Sequence, residues 1–279
     1  MPTRPESAHN TDTVQSFLRS LQHKCATVHD RFQSGGLTGL QSLMAYKLGV
    51  WYRWMRQSVT LDGCTFSLAR SPDYVRYLLI SGKYESAERG ALKTALISEL
   101  PTVEFGGGIG VVSCLTNKIL KWPARHVVVE ANNTLLALLE SHRHRNKCEF
   151  EILNKALAYD RSTVEFTVDD NFLMGRMDLP GNKRISVQTT TLLAVLDQAG
   201  FDVCNLVCDI EGAECDLVEN ELEILKTRVA CIIMETHPAI RGEEAVTLMM
   251  DKLGNSGFKV VAKDGSTYVL HQARLAAGT

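Results

Sequence analysis

No apolar run in this chain approaches the ~20 residues that a bilayer crossing demands, so a membrane-spanning helix is not expected. The amino-terminal residues 1–13 are polar, with two prolines and two acids, and lack the apolar core of a secretory leader. They read as a loose tail. The 8 cysteines (25, 64, 114, 148, 204, 208, 215 and 231) contain no Cys-x-x-Cys pair and no small-domain disulfide framework, which points to reduced thiols and a cytoplasmic setting. At a net charge of −2 there is no basic surplus for phosphate backbones, and nucleic acid is not expected as a partner. Internal repeats are absent, as is low-complexity sequence beyond the tail. What is present is ordinary globular material: 279 residues, 45% apolar and 22% charged, enough for one large α/β domain with an added segment.

The added segment is helical. Residues 12–33 and 37–55 carry apolar positions at spacings of three and four, separated by Gly35-Gly36. The second helix has two apolar stripes flanked by Lys47, Arg53 and Arg56, which suit packing on the domain or self-association better than docking at a lipid-water interface. Residues 1–60 are therefore expected to be an N-terminal helical extension and residues 61–279 the main domain. A hairpin over 59–68 turns at Asp62-Gly63. A helix over 86–99 is ended by Pro101, leaving Tyr84 and Glu85 on its entry segment.

From residue 102 strands and helices alternate: strand 102–105, helix 109–120, strand 126–130, helix 133–145, strand 148–153. This βαβαβ order implies a parallel sheet with right-handed crossovers. Short strands at 164–168 and 185–188 bracket the polar segment 169–183, which is long for a connection and reads as a functional loop. Helix 190–199, strand 203–209, helix 214–226, strand 229–235 and helix 242–254 continue the pattern. Strands 257–262 and 267–271 close it as an antiparallel pair. The fold class is α/β, a mostly parallel sheet with one antiparallel strand and helices on both faces.

Within this frame, Val103-Glu104-Phe105-Gly106-Gly107-Gly108-Ile109-Gly110 is a strand that ends on an acid and passes through glycines into a helix. Little side-chain bulk lets a ligand approach its backbone. A dinucleotide fingerprint would need glycine at position 111, where Val111 stands, so a nicotinamide-dependent oxidoreductase is the runner-up. The pattern Glu-x-Gly-x-Gly-x-Gly instead resembles the S-adenosylmethionine (AdoMet) loop of Rossmann-like methyltransferases. Glu130, twenty residues after Gly110, ends the next strand where a carboxylate accepts hydrogen bonds from ribose hydroxyls. Asn154, with Ala156 beyond it, ends the third strand where an adenine edge would lie.

A second stretch, Cys208-Asp209-Ile210-Glu211-Gly212-Ala213-Glu214, crowds three carboxylates at a strand-to-helix junction. Such crowding is costly unless the acids meet a cation or donors, or one carries a raised pKa and serves as a base. Glu214 fits equally a first-turn helix acid and a functional role. Glu235 ends the following strand, and Pro238 stops it so that His237 is left at the sheet's carboxyl edge, able to take a proton near neutral pH. Asp209, Glu211 and Glu235 could hold a divalent ion, but no recognised metal loop is present and no metal site is predicted.

Taken together, Gly82-Lys83-Tyr84-Glu85, the 103–110 loop, Val129-Glu130, the stretch 154–158, Asp209-Ile210-Glu211-Gly212-Ala213-Glu214 and the stretch 235–238 resemble the FkbM family of AdoMet-dependent methyltransferases. The resemblance covers about residues 80–271, with Cys208 where the family often has lysine and Gly107 in place of its usual alanine. It implies a Rossmann-like class I fold with a seven-stranded sheet, and O-methylation of a hydroxyl on a sugar, lipid or secondary metabolite; a non-catalytic AdoMet-binding scaffold is a further alternative. It also implies cofactor contacts at Tyr84, Glu85, Glu104, Gly106, Gly108, Gly110, Glu130, Ala131, Asn154, Ala156 and Asp209, and chemistry at Asp209, Glu211 and His237. The expected partners are a small-molecule, glycan or lipid acceptor and a second copy of the chain held through the N-terminal helices.

Overall fold

The computed structural model describes residues 57–69, 71, 73–168, 176–177 and 183–276. The expected helices at 12–33 and 37–55, and most of segment 169–183, lie outside them.

Strands β1 (Ser58–Leu61) and β2 (Cys64–Ser67) form the expected hairpin, with Asp62 at φ 49° and Gly63 at φ 77° supplying the two left-handed residues of a type I′ turn. Cys64, Phe66 and Leu68 pack with Val75 and Leu79 of α1 (Asp73–Ile80) against Ile109, Val111 and Leu139. Helix α2 (Ser86–Ala95) stops short of the expected residue 99. The cause is Asn205, whose side-chain amide takes both the N–H of Ile97 (3.2 Å) and its carbonyl (2.9 Å) out of the helical ladder.

The alternating elements follow as β3 (Thr102–Phe105), α3 (Val111–Ile119), β4 (His126–Val129), α4 (Leu136–Arg145), β5 (Glu151–Leu153), β6 (Ala156–Leu157), β7 (Thr163–Val168), β8 (Arg176–Met177), β9 (Lys183–Thr190), α5 (Leu192–Ala199), β10 (Cys204–Cys208), α6 (Glu214–Arg228), β11 (Val229–Glu235), α7 (Pro238–Arg241), α8 (Glu243–Asn255), β12 (Phe258–Asp264), β13 (Thr267–Gln272) and α9 (Ala273–Ala276). Seven strands make the main sheet in the order β12-β13-β11-β10-β3-β4-β5, all parallel except β13, which runs antiparallel to both neighbours. This is a Rossmann-like doubly wound sheet whose chain order reverses between β3 and β10. The strands at 163–168 and 183–190 do not extend it. With β6 and β8 they form a separate small sheet, β6-β9-β7-β8.

Period-two alternation assigns the two faces. Val103, Phe105, Val129, Leu206, Ile232 and Met234 pack on Leu192, Leu196, Leu217, Leu225, Met249 and Leu253 of the helices on one side. Val207 and Ile233 face Leu92 of α2 and Val112 and Leu115 of α3 on the other.

Candidate active site

Register brings the carboxyl ends of four strands into one row. Phe105 lies opposite Val129 and Cys208, and Cys208 opposite Met234. One residue on, Glu130, Gly106, Asp209 and Glu235 leave their strands at the same level, next to the chain reversal between β3 and β10. That reversal is where open α/β sheets leave a crevice for a ligand.

The three alternating glycines do different work. A Cβ on Gly106, at φ 92°, would lie 1.8 Å from the Asp209 carbonyl oxygen, so this glycine lets two strands close on each other. Gly110 begins α3, and a Cβ there would strike the Leu139 side chain at 2.6 Å. Only at Gly108 is there space on the ligand side, bounded by the Tyr84 hydroxyl at 3.8 Å and Glu85 Oε1 at 3.9 Å. The loop is pinned from behind by buried His142, whose Nε2 accepts from the Ser67 N–H (2.8 Å) and whose Nδ1 therefore carries the proton donated to the Ile109 carbonyl (2.7 Å). Burial holds the His142 pKa down, outweighing that hydrogen bond.

Glu130 clips the loop from the front: Oε2 accepts from the Gly108 N–H and Oε1 from the Asn132 N–H, both at 2.6 Å. Burial pushes its carboxyl up to about 7 against the effect of those two donors. Each oxygen retains a second lone pair for a ligand hydroxyl. Asn154, exposed, donates from Nδ2 to the carbonyls of Glu130 (2.8 Å) and Ala131 (3.1 Å), bracing the turn. Ala156 is buried with Val164 and Val187, and Ala131 packs against them, giving a small apolar wall beside Glu130.

Glu104 departs from the expected arrangement. It is fully buried, with Oε1 accepting from Ser113 Oγ (2.5 Å) and Oε2 paired with His126 Nε2 (3.2 Å), while His126 Nδ1 lies 3.4 Å from Asn117 Nδ2. The acid that opens the glycine motif ties β3 to α3 and β4. Its two oxygens are committed within the protein interior.

The acids that face the crevice come from elsewhere. Tyr84 is buried, and its hydroxyl bonds the Glu85 carboxylate. Glu85 sits in the left-handed region at φ 46°, immediately before α2, because Arg89 clamps the preceding turn: its Nε donates to the Tyr84 carbonyl (3.0 Å), Nη2 to the Gly82 carbonyl (2.5 Å) and Nη1 to Asp62 (2.7 Å). Glu85 Oε2 is buried without a hydrogen-bond partner among the described residues. Burial, then the charge of Asp209, pushes its carboxyl well above the usual range.

On the other side of Gly106, His237 is gripped by three acids. Its Nδ1 is 3.1 Å from Glu214 Oε1, and its Nε2 is 3.4 Å from Asp209 Oδ1 and 3.8 Å from Glu211 Oε2. Burial alone would lower its pKa, but the hydrogen bond and charge of Glu214, with Asp209 and Glu211, override this and raise it to about 9. The ring is an imidazolium at neutral pH. Asp209 is raised by burial and then by Glu235, with His237 opposing the rise. Asp209, Glu214 and His237 offer atoms within 4.8 Å of one another, a spacing that would admit a metal ion, yet the imidazolium already supplies a cation to these acids. Glu214 also accepts the Ile210 N–H (2.8 Å), so it is both a helix-start acid and the partner of His237.

Sequence reasoning missed Arg89, which reads as an ordinary helix-surface cation until the Gly82–Tyr84 turn is seen folded over it. It also missed Glu88, buried beside the row and hydrogen-bonded by the Thr267 hydroxyl. The signal was available in Glu85-x-x-Glu88, two acids one helical turn apart.

No family model and no curated protein matches the chain. Solved structures do. A methyltransferase from Pyrococcus furiosus aligns with a TM-score of 0.44 and 12% identity over 81% of this chain and 97% of its own. TYW2 of M. jannaschii, crystallised with AdoMet, aligns with a TM-score of 0.39 and 13% identity over 76% of this chain and 82% of its own. An rRNA methylase from Streptococcus thermophilus aligns with a TM-score of 0.40 and 10% identity over 66% of this chain and 93% of its own.

The fold, by strand order and by the antiparallel β13, is that of class I AdoMet-dependent methyltransferases. None of these matches names the FkbM family. They do correct one expectation. Nucleic acid was set aside on net charge, whereas proteins of this fold include an rRNA methylase. A whole-chain sum of −2 averages over the surface and does not describe any one face. Among the described residues no helix is long and apolar enough to cross a membrane.

Proposed function

We propose that the chain is an AdoMet-dependent methyltransferase that acts on a hydroxyl acceptor. The observation that carries this reading is Glu85 Oε2, a buried carboxylate oxygen without a partner among the described residues, on a carboxylate whose Oε1 borders the space at Gly108 and which feels the charge of Asp209. Buried acids with raised pKa values need a cation, and AdoMet brings one on its amino group and one on its sulfonium. Glu130 supplies acceptor lone pairs for ribose hydroxyls, and Ala131 and Ala156 supply an apolar surface for a purine. The residues fit the cofactor.

AdoMet supplies an electrophilic methyl group when bound. Asp209 and Glu211 lie where an acceptor hydroxyl would be oriented at the reversal of chain order. His237, already charged, is a positioning residue that fixes both carboxylates by its Nε2 and is itself fixed by Glu214 through Nδ1. The base is then Asp209, whose carboxylate burial and the charge of Glu235 make a stronger proton acceptor than an ordinary aspartate, and His237 becomes able to take a proton only as the pH nears 9. Alignment supplies most of the rate in such a transfer, with the base adding about 100-fold or more.

Titration calorimetry with S-adenosylhomocysteine tests the cofactor reading. Saturable binding to the wild type is expected, with at least a tenfold loss in Glu130→Ala, about 1.4 kcal/mol. Undetectable binding to the folded wild type would end it. Radiolabelled AdoMet incubated with cell extracts identifies the acceptor; on that acceptor, Asp209→Asn and His237→Ala should keep S-adenosylhomocysteine binding and lose turnover. Wild-type rates in both would overturn the assignment of these groups.

A further inference from the structure

The amino edge of the main sheet, opposite the crevice, carries a surface with the chemistry of a nucleic-acid site, and it is independent of the methyl-transfer reading. Two loops build it. The first follows α3 and turns from Trp122 to Arg125, whose N–H donates to the Trp122 carbonyl (2.9 Å), before β4 begins. The second follows α4 and leads into β5. Asn117 joins them, with Nδ2 donating to the Pro123 carbonyl (2.8 Å) and Oδ1 accepting from the Glu149 N–H (3.0 Å).

Trp122 at the tip of the first loop is 55% exposed, an unusual position for the largest apolar side chain. Lys121 lies beside it, with Nζ 5.7 Å from the ring centroid. Lys118, on the last turn of α3 with its ammonium on the Gly63 carbonyl, and Arg125, whose guanidinium lies 5.4 Å from the Phe201 ring centroid, flank this pair, while Arg145 ends α4 and Lys147 follows it in the second loop; all are exposed. Among the described residues none of these five cations forms an ion pair. By contrast Lys93, Lys226, Arg228, Arg241 and Lys252 are each paired with an acid. Against these five cations stand the exposed acids Glu99, which feels the charge of Lys121, Glu149 and Glu151, a local positive surplus on a chain of net negative charge.

We infer that Trp122, with Lys118, Lys121, Arg125, Arg145 and Lys147, forms a docking surface for single-stranded RNA. The lysines and arginines meet phosphates, and the exposed indole stacks on a base. An acidic peptide would use the cations but has no need of a flat exposed indole. A membrane surface would use both, and is an outcome that the test separates.

Fluorescence anisotropy with a labelled single-stranded 20-nucleotide RNA and the full chain, without AdoMet, reads the interaction. Binding should weaken at least tenfold between 50 and 200 mM salt, an order-of-magnitude expectation for a handful of phosphate contacts. Lys121→Glu with Arg125→Glu should weaken it at least tenfold. Trp122→Ala should weaken it roughly fivefold or more, and Trp122→Phe should restore most of that loss. Lys259→Glu, exposed on the distant edge strand β12, should leave it unchanged. Each variant is checked for an unchanged melting temperature and unchanged S-adenosylhomocysteine binding, so that failure here is distinct from failure of the cofactor reading. No RNA binding at 50 mM salt, equal weakening by Lys259→Glu, or Trp122-dependent binding to phosphatidylserine vesicles or polyglutamate in place of RNA would overturn the inference.

Discussion

Two glutamates show how a residue's surroundings, more than its place in a motif, decide its role. Glu104 opens the glycine motif, yet Ser113 and His126 occupy both of its oxygens in the interior. Glu85 lies outside the motif and keeps a buried oxygen unpartnered beside it. The two should therefore respond oppositely to substitution. Glu85→Gln should bind S-adenosylhomocysteine at least tenfold more weakly, about 1.4 kcal/mol, with the melting temperature equal to or above that of the wild type, because a charge held above its usual pKa by burial is removed. Glu104→Ala should instead lower stability by about 3 kcal/mol by stripping His126 and Ser113 of their common partner. Calorimetry and thermal melts on the same preparations distinguish these outcomes. Wild-type affinity in Glu85→Gln would remove the carboxylate from the cofactor site.

At the scale of elements, one cross-helix contact holds α5 in place. Glu221 on α6 accepts the first two N–H groups of α5, from Leu192 and Leu193 (both 2.7 Å), and the Tyr159 hydroxyl (2.7 Å), while Thr191 Oγ1 accepts the third from Ala194 (3.1 Å). Helix α6 leaves helical geometry at Glu221 itself (φ −124°, ψ 28°). Glu221→Ala should cost about 2 kcal/mol, lowering the melting temperature by roughly 6 °C, and Glu221→Gln, which keeps one acceptor, by about half as much. Circular dichroism melts check this, and a change below about 1 °C in Glu221→Ala would show that the cap is dispensable. The contact was not legible in the sequence, because it joins residues about thirty positions apart through a tertiary approach. The β3-to-β4 unit and the β10-to-β11 unit were legible, since their apolar strands end on glycine or acid and their helices begin at once. The small sheet was only half legible: the strands of 163–168 and 183–190 showed as β-rich segments, but a two-residue partner such as Ala156–Leu157 has no period to read. At the candidate site, the positions of Glu130 and Asp209, one residue past their strands, and of His237, two residues past β11, could be read from where the apolar runs stop. The Arg89 clamp and the inward turn of Glu104 depended on register and packing.

The whole molecule concentrates acids with raised pKa values at one end, and this couples its stability to pH and to ligand. Glu130, at 4.5 in the unfolded chain and about 7 when folded, binds more protons folded than unfolded between those values. Its contribution to stability is thus present below about 4.5 and lost as the pH rises through about 7. His237, raised from 6.5 to about 9, contributes fully below about 6.5 and loses its contribution as the pH rises through about 9. His142, lowered by burial, acts in the opposite sense: below about 6.5 the unfolded chain takes up a proton that the folded imidazole refuses, and stability falls with pH. The ligand-free protein should therefore lose melting temperature steadily from about pH 6.5 to 9.5. Glu130→Gln should flatten the curve between about pH 5 and 7.5, and His237→Gln between about pH 7 and 9.5. A bound amino cation offsets the repulsion that grows as Glu85, Glu130 and Asp209 ionise, so the rise in melting temperature given by saturating S-adenosylhomocysteine should be larger at pH 8 than at pH 5.5. Scanning calorimetry across this range with and without the ligand reads both effects. Parallel curves for the wild type and both variants would disconnect these two groups from folding, and a ligand-induced rise that is independent of pH would mean that the acids at the carboxyl edge do not meet the ligand's charge.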